Sequence, residues 1–252
     1  MKLSQISIAA LLSVTAVGAF AQAKAPEPDY TLGFNVGATT DYRYRGISQS
    51  SLKPAVSVGA DFAHKSGLYL GTWVSSIDWI KDDGKTAGVN AGKTAVEIDL
   101  YGGYKGALGD LAYDVGLLHY LYPSNKYVNI GANANTTELY GALTYGPVTA
   151  KYSHSVSNTF GFANSKGSYY VDLSATFDLG NGFSLVPHVG YQSIKNTAAG
   201  SYTDYALTVN KDFGSGFSGS LAYIDTDTKA YLTSKNKNKG KGSLVLGAKY
   251  SF

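Results

Sequence analysis

The chain of 252 residues has no cysteine, little charge and no long apolar run after its first residues. The absence of cysteine excludes disulfides, thiolate metal sites and cysteine nucleophiles. Charged residues make up only 15% of the chain, and a formal net charge of +3 is too small to indicate a nucleic-acid partner. Beyond the N-terminus, no window approaches the roughly 18 consecutive apolar residues of a transmembrane helix.

The first residues have the pattern of a secretory signal peptide. Lys2 supplies a positive n-region, residues 6–20 supply an apolar h-region, and small-x-small cleavage sites follow at residues 19–21 and 21–23. Cleavage at the first of these sites is preferred. We therefore predict export and three segments: a signal peptide at 1–21, a short periplasmic lead at 22–30 and one domain at 31–252.

The chain is rich in tyrosine and glycine, and its apolar residues alternate with polar ones. Tyrosine occurs 21 times and glycine 30 times. In the C-terminal segment, the apolar face of a period-2 strand consists of Leu244, Leu246, Ala248, Tyr250 and Phe252. A strand that is apolar on one face, polar on the other and closed by an aromatic residue is typical of an outer-membrane β-barrel. We expect the barrel-assembly machinery to recognise this strand through Phe252.

Twelve such runs are predicted, each near the 9–11 residues that a tilted spanning strand needs. They lie at about residues 31–42, 54–63, 68–79, 94–105, 111–122, 136–145, 148–157, 168–179, 183–193, 202–212, 217–225 and 243–252. Five short connections rich in turn residues alternate with six long polar ones. A barrel with both termini in the periplasm has this alternation, with short turns on the periplasmic side and longer loops outside.

The sequence therefore predicts an all-β fold over residues 31–252, a transmembrane antiparallel up-and-down β-barrel of about 12 strands. Ten or fourteen strands stay open as alternatives, because the phase of the third run is ambiguous and the long loops could hold a further hairpin. Aromatic residues near the predicted strand ends indicate girdles at the two membrane interfaces, although aromatic residues favour strands in general. These residues are Trp73, Trp79, Tyr120, Tyr122, Phe177, Phe183, Phe213, Phe217, Tyr250 and Phe252.

Five segments of the chain carry a family resemblance. They are residues 41–50 (DYRYRGISQS), 53–56 (KPAV), 66–73 (SGLYLGTW), 97–104 (EIDLYGGY) and 110–116 (DLAYDVG). Together they resemble the TorF-type porin family of proteobacteria, whose members are catalogued as conserved proteins of unknown function. The resemblance covers essentially the whole mature chain and is densest from Asp41 to Tyr122. It implies an outer-membrane barrel with a pore, and it implies no particular substrate.

Ionisable residues on the polar faces of the strands are the candidate functional residues. They are expected to face the lumen, because an Arg or Lys facing lipid at mid-depth would cost about 2–4 kcal/mol. The set is Asp41, Arg43, Arg45, Glu97, Asp99, Asp114, Lys151, Asp172 and Lys249. These residues either form a charged constriction that selects solutes or pair across the barrel and plug it. Five acidic and four basic members predict no strong ion preference.

Within this set, Arg43 and Arg45 form the most specific candidate pair, because they lie two residues apart where the first predicted strand ends. They could line the external mouth and hold an anion. Alternatively, they brace the first long loop through carboxylates such as Asp41 or Asp78.

Patterns for catalysis or metal binding are weak. His154 with Ser153 and Ser155, and His119 beside Tyr120, are the local candidates for a lipase-like site, and the chain has no G-x-S-x-G nucleophile elbow. The four histidines lie far apart and have no recognisable ligand spacing. We therefore predict no enzyme, no cofactor and no metal site.

The predicted function is passive diffusion of small hydrophilic solutes or ions through a water-filled lumen in the cell outer membrane. The barrel would then contact outer-membrane lipids on its outer face and solutes within. The alternative is a non-conducting structural or adhesive barrel that acts through its long extracellular loops. An outer-membrane lipase is the third hypothesis, and fewer residues support it.

Overall fold

The computed structural model describes residues 28–252. The predicted signal peptide at 1–21 and residues 22–27 of the predicted lead lie outside them. The strands are β1 (Tyr30–Thr39), β2 (Arg43–Tyr44), β3 (Ile47–Ser48), β4 (Ala55–His64), β5 (Leu68–Ser76), β6 (Val96–Leu108), β7 (Leu111–Leu121), β8 (Thr136–Tyr145), β9 (Val148–Ser155), β10 (Tyr169–Ala175), β11 (Phe177–Gly180), β12 (Phe183–Ser193), β13 (Tyr202–Gly214), β14 (Phe217–Thr226) and β15 (Ser243–Ser251). One helix, α1 (Trp79–Ala87), and two 3₁₀ turns, Tyr127–Asn129 and Ala198–Gly200, lie between strands. Within the range 28–252, no helix is long and apolar enough to cross a membrane.

The strands close into one antiparallel barrel with twelve wall strands. Each wall strand pairs with its neighbours along the chain, and β1 pairs with β15 to close the ring. The segments β10 and β11 together make one wall strand, because both pair with β12 and only Thr176 separates them. The predicted up-and-down barrel of about 12 strands is thus confirmed.

The alternating pattern separates the two faces of the wall. Large apolar side chains such as Leu70, Leu108 and Leu244 are 64%, 73% and 67% exposed on the outside. A belt of such exposed side chains is the face that a spanning barrel presents to lipid. Polar and small residues share the other face: Asn35, for example, lies opposite Gly59 on β4 and Ser251 on β15.

The two ends of the barrel differ in their connections. At one end, called here the turn end, tight turns join consecutive strands. The first wall strand, β1, begins at this end, and the last wall strand, β15, ends there. In the turn between β13 and β14, Ser215 and Gly216 have left-handed φ angles of 50° and 82°, as hairpin turns that match strand twist require. A Cβ atom on Gly216 would lie 2.1 Å from the carbonyl oxygen of Ser251, so glycine is required there. At the other end, called the loop end, the six long connections meet.

The predicted third strand, residues 68–79, is two elements. The strand β5 ends at Ser76, and α1 begins at Trp79 within what was predicted as strand and loop. Trp79 and Ile80 are 7% and 0% exposed and pack with Tyr122 in an apolar cluster. Burial in this cluster, rather than local helix propensity, explains why this glycine-containing segment is helical.

The aromatic residues predicted for the girdles lie on the outer face at the turn end, but several of those predicted at the loop end do not. Phe213, Phe217 and Phe252 are 68%, 56% and 60% exposed on the outer face near the turns. Tyr120 and Tyr122 are instead buried, at 2% and 1% exposure, in the cluster beneath the loops. Tyrosines on the inner face therefore have a different role from those at a membrane interface.

Candidate functional site

The first long loop, residues 40–54, folds into the barrel interior. Its strands β2 and β3 form a hairpin, and Arg45 and Gly46 make the tip with left-handed φ angles of 47° and 78°. A Cβ atom on Gly46 would lie 2.5 Å from Thr226 Cγ2 and 2.7 Å from Asp204 Cβ, so only glycine fits. The tip of the hairpin therefore touches the wall formed by β13 and β14.

Arg45 fastens this hairpin to the far wall. Its guanidinium makes two contacts with the Glu138 carboxylate on β8, Nη2 to Oε2 at 2.6 Å and Nη1 to Oε1 at 3.1 Å. Nη1 also donates to Gln192 Oε1 on β12 at 2.6 Å, and the Tyr170 ring centre on β10 lies 4.3 Å from Cζ. The side chains of Arg45 and Glu138 are 6% and 1% exposed. Because removal of either partner would leave a buried charge unpaired, this contact holds the loop across the interior.

Arg43 and Asp41 hold the base of the same hairpin. Arg43 Nε lies 2.7 Å from Asp41 Oδ2, and Arg43 Nη2 donates to Ser243 Oγ at 2.7 Å. Asp78, the other carboxylate considered for bracing, pairs with Lys53 at 2.5 Å instead. Both loop arginines thus serve as braces in the structure, Arg43 through Asp41 and Arg45 through Glu138.

Tyrosine hydroxyl groups donate to most of the carboxylates in the interior. The pairs are Tyr42–Glu97 at 2.5 Å, Tyr122–Glu97 at 2.6 Å, Tyr101–Asp61 at 2.5 Å, Tyr69–Asp114 at 2.5 Å, Tyr170–Asp204 at 3.1 Å and Tyr120–Glu138 at 3.3 Å. Burial, and then the charge of Glu97, raises the pKa of the loop residue Tyr42 well above its usual value, so its hydroxyl keeps the proton it donates. These contacts satisfy interior carboxylates without adding positive charge.

The sequence offered a signal for this network. Tyr101 alternates in phase with Glu97 and Asp99, and Tyr120 alternates in phase with Asp114. A tyrosine that shares the polar phase of a strand points inward, whereas a girdle tyrosine shares the apolar phase. Phase, rather than position near a strand end, separates the two groups.

All nine residues selected from the sequence lie in the barrel interior or in the loop that enters it. Asp41, Arg43 and Arg45 lie in the inward loop. The strand residues on the inner face are Glu97, Asp99, Asp114, Lys151, Asp172 and Lys249. Arg43, Arg45, Lys151 and Asp172 line one central cavity of about 370 Å³. Asp114 and Lys249 lie nearer the turn end, and Lys249 lines a separate cavity of about 690 Å³ there.

Sequence reasoning missed several polar residues of the interior, of which five are Asp61, Glu138, His188, Gln192 and Asp204. His188 Nε2 lies 2.5 Å from Asp172 Oδ2, and His188 Nδ1 lies 3.6 Å from Asp204 Oδ1. Glu138 and Gln192 hold Arg45, as described above. Three of the five are carboxylates, so the interior is more acidic than the nine selected residues indicated.

The residues considered for a lipase-like site are not brought together. On β9, Ser153 lies on the inner face beside Tyr170, and His154 lies on the outer face, where its ring stacks on Tyr152 at 6.1 Å between centroids. His119 contacts Thr137 Oγ1 at 2.8 Å. Among residues 28–252, no group of three or more His, Cys, Asp or Glu side chains could hold a metal ion.

The hairpin divides the interior. A cavity of about 460 Å³ lies at the loop end, and the central cavity of about 370 Å³ lies beyond the hairpin. Tyr44 lines both cavities, and its hydroxyl contacts that of Tyr120. Tyr44 and Arg45, with their partners on the wall, therefore lie at the boundary between the two cavities.

Comparisons with known proteins match this chain to one bacterial family and to solved structures of porins. A family model described as "Bacterial protein of unknown function (Gcw_chp)" matches residues 22–252. No curated protein sequence matches the chain. Among solved structures, the KdgM porin superposes with a TM-score of 0.55 at 6% identity, over 87% of this chain and 99% of that chain. The NanC porin superposes with a TM-score of 0.55 at 11% identity, over 88% of this chain and 99% of that chain. At such low identities the likeness concerns the fold alone.

Proposed function

We propose, from the premise that this chain belongs to the Gcw_chp family of bacterial proteins of unknown function, that it forms a porin-like channel in the outer membrane. The channel would allow passive diffusion of small hydrophilic solutes or ions. The observation that supports this proposal is a closed barrel with an apolar outer face and a polar interior that holds cavities at both ends and in the middle. Such an interior conducts when water fills it.

The inward hairpin is the constriction of this channel. Solutes entering from the loop end would pass Tyr44 and Arg45 before reaching the central cavity. Because a twelve-strand barrel lies between filled eight-strand barrels and wide 16–18-strand porins, the hairpin makes an already narrow lumen narrower. The conductance is therefore expected to be small.

The interior favours cations over anions. Asp61, Glu138 and Asp204 add three carboxylates to the set selected from the sequence, and Lys105, which faces inward opposite Asp114, adds one cation. Rings of carboxylate side chains are the usual basis of cation preference in channels. This proposal differs from the expectation of no strong ion preference, which rested on a smaller set of residues.

Outer-membrane location and assembly follow from the same proposal. The porin neighbours in fold support an outer-membrane barrel surrounded by lipid. Phe252 is 60% exposed on the outer face, and its backbone pairs with Phe34 of β1 in both directions, at 2.8 and 2.9 Å. An exposed terminal aromatic residue at the closing seam suits recognition by the barrel-assembly machinery.

Planar-bilayer recording of the refolded mature chain under a salt gradient tests the proposal. We expect discrete small steps and a reversal potential of the sign that cation flow gives. A correctly folded, heat-modifiable barrel that stays silent would contradict the channel.

That silent outcome would favour the second candidate, a structural or adhesive barrel. The observation in its favour is the buried Arg45–Glu138 contact, which could close the interior permanently. In such a protein the six long loops would be the functional part. Recording from the Arg45→Ala variant separates the two cases, since opening the constriction restores current only if a path exists.

A further inference from the structure

The cavity at the loop end has the size and the lining of a small-molecule binding site. All six long loops contribute to it, and its volume of about 460 Å³ falls within the roughly 300–1,000 Å³ of typical small-molecule sites. We call it the vestibule and define it by six aromatic side chains: Tyr44, Trp79, Tyr127, Phe160, Phe162 and Tyr231. It lies directly on the loop side of the constriction.

The aromatic side chains of the vestibule hold one another in place. The rings of Trp79 and Tyr127 lie 5.1 Å apart, those of Tyr44 and Phe160 lie 5.7 Å apart, and those of Phe162 and Tyr231 lie 6.4 Å apart. The Tyr127 hydroxyl donates to Asp83 Oδ2 at 2.8 Å, which fixes that ring further. A rigid aromatic surface binds flat solutes at a low entropic cost, because little has to be ordered on binding.

The vestibule carries no net charge. Of the described residues that line it, Asp83 and Lys239 are the ones charged at neutral pH, and they pair with each other at 2.5 Å. The central cavity differs, since Arg45, Lys151, Asp172 and Asp204 all line it. An uncharged solute therefore fits the vestibule better than an ion does.

Polar side chains lie beside the aromatic rings of the vestibule. Gln49, Thr86 and Thr197 line the same cavity. Side-chain amides and hydroxyl groups both donate and accept hydrogen bonds, so they suit a solute that carries hydroxyl groups.

We propose that the vestibule binds an uncharged cyclic polyol, a sugar of one or two rings. The flat C–H face of such a ring would stack on the aromatic side chains, and its hydroxyl groups would pair with the side chains of Gln49, Thr86 and Thr197. A purely aromatic or lipid-like molecule would make no hydrogen bonds with these side chains and would be unsuited to the charged central cavity beyond. The inference deepens the proposed function and rests on it, since the bound sugar is the solute awaiting passage.

Tryptophan fluorescence tests this binding independently of conduction. The chain has two tryptophans, so a Trp73→Phe variant leaves Trp79 as the only reporter. Trp73 packs against Tyr42, with 5.1 Å between ring centroids, and does not line the vestibule. Titration of the refolded variant with maltose is expected to give a saturable change in Trp79 emission, with an apparent Kd of about 1 mM. The Trp79→Phe variant, which reports from Trp73, should show no such change.

Removal of one aromatic face provides the matched comparison. Tyr127→Leu should weaken maltose binding about tenfold or more, whereas Tyr152→Leu, on the outer face of β9, should leave it unchanged. If Trp73→Phe does not refold, calorimetric titration of the unaltered chain with maltose gives the same answer.

Three results would overturn the inference: no saturable response to maltose, a response to benzyl alcohol alone, or tighter binding of glucuronate than of glucose. Failure of the vestibule and failure of the channel can be told apart. Saturable binding by a barrel that carries no current supports the vestibule and removes the channel. Current without binding removes the vestibule alone.

Discussion

The two ends of the barrel interior are built by different means. At the loop end, Trp79 and Ile80 of α1 pack with Tyr120 and Tyr122 in a buried apolar cluster, and the first loop crosses the lumen. At the turn end, tight hairpin turns leave a cavity of about 690 Å³ that is bordered by Lys249, by small residues and by further charged and aromatic side chains such as Asp212 and Phe183. The inward loop that would restrict the passage of solutes and most of the buried side-chain contacts between loops therefore lie in the same half of the molecule.

This difference has a consequence for how the barrel tolerates change. Backbone hydrogen bonds between strands hold the wall along its whole height. A side-chain substitution at the turn end should therefore have little effect on the rest of the barrel. An alteration at the loop end disturbs both packing and the path through the lumen. Four substitutions or conditions test this contrast.

The largest effect is expected for Arg45→Ala. It leaves the buried Glu138 carboxylate without its cation, which should lower the free energy of unfolding by about 3–5 kcal/mol. The same change should raise single-channel conductance, because the constriction loses its side chain. Urea unfolding in micelles and bilayer recording measure the two effects.

The control for this prediction is Lys249→Ala at the turn end. We expect its free energy of unfolding to change by no more than about 0.5 kcal/mol. The double variant Arg45→Ala/Glu138→Gln should recover part of the loss. Equal losses at Arg45 and Lys249 would show that the two ends do not differ in this way.

A smaller effect is expected for Gly46→Ala at the hairpin tip. The φ angle of 78° and the atoms of Thr226 and Asp204 within 2.7 Å leave no room for a Cβ, so the variant should lose about 1–3 kcal/mol. Gly109→Ala, in the turn between β6 and β7, is matched to it. Its φ angle is 62° but nothing lies within 4 Å of its added Cβ, so only backbone strain of about 1 kcal/mol remains. Unfolding midpoints in urea compare the two variants.

Acidification should loosen the contact between α1 and the last long loop. Burial alone would raise the pKa of Asp82, but hydrogen bonds from the Ser234 side chain and backbone, together with Lys239, lower it below its usual range. A carboxyl group whose pKa is lower in the folded state stabilises the fold above its unfolded value near 4, and the contribution is lost as pH falls through the folded value.

Hydrogen exchange of residues 227–242 at neutral pH and near pH 3 measures this loss, when each observed rate is divided into the intrinsic rate at the same pH to give a protection factor. We expect lower protection factors in acid for the unaltered chain. Asp82→Asn should have lower protection factors already at neutral pH, and these should depend less on pH. The turn between β13 and β14 should show no change that depends on Asp82.

The smallest effect is expected for Lys53→Ala. Lys53 pairs with Asp78 at 2.5 Å, but its side chain is 64% exposed, so the pair should contribute no more than about 1 kcal/mol. The loss should shrink further in high salt, since solvent-exposed pairs are screened. A loss as large as that of Arg45→Ala would mean that burial does not decide the value of these ion pairs.

Alternation in the sequence predicted which face of a strand each residue occupies, but not its partner. In β6, Val96 and Leu100 lie outside while Glu97 and Asp99 lie inside, as their phase indicates. The partner of Arg45 could not be predicted in this way, because Glu138 is 93 residues away and Gln192 is 147 residues away. A period-2 pattern carries no information on how a long loop crosses the lumen.

For the aromatic residues, position near a strand end gave the wrong prediction. Tyr120 and Tyr122 lie near a strand end, and position alone suggested a membrane interface. Their hydroxyl groups donate to Glu138 and Glu97 instead. Trp79 was placed at the end of a strand because no helical pattern surrounds it, and only the cluster beneath α1 explains its position.

The docking of Arg45 also constrains the order in which the barrel assembles. Its partners Glu138 and Gln192 lie on β8 and β12. The hairpin near the start of the chain therefore cannot form these contacts until both strands have joined the wall. Neighbouring strands can zip together locally, with short loops to close, whereas this contact links distant stretches of chain. The first loop to be made is thus among the last to settle, and an incomplete barrel exposes an arginine that a finished one hides.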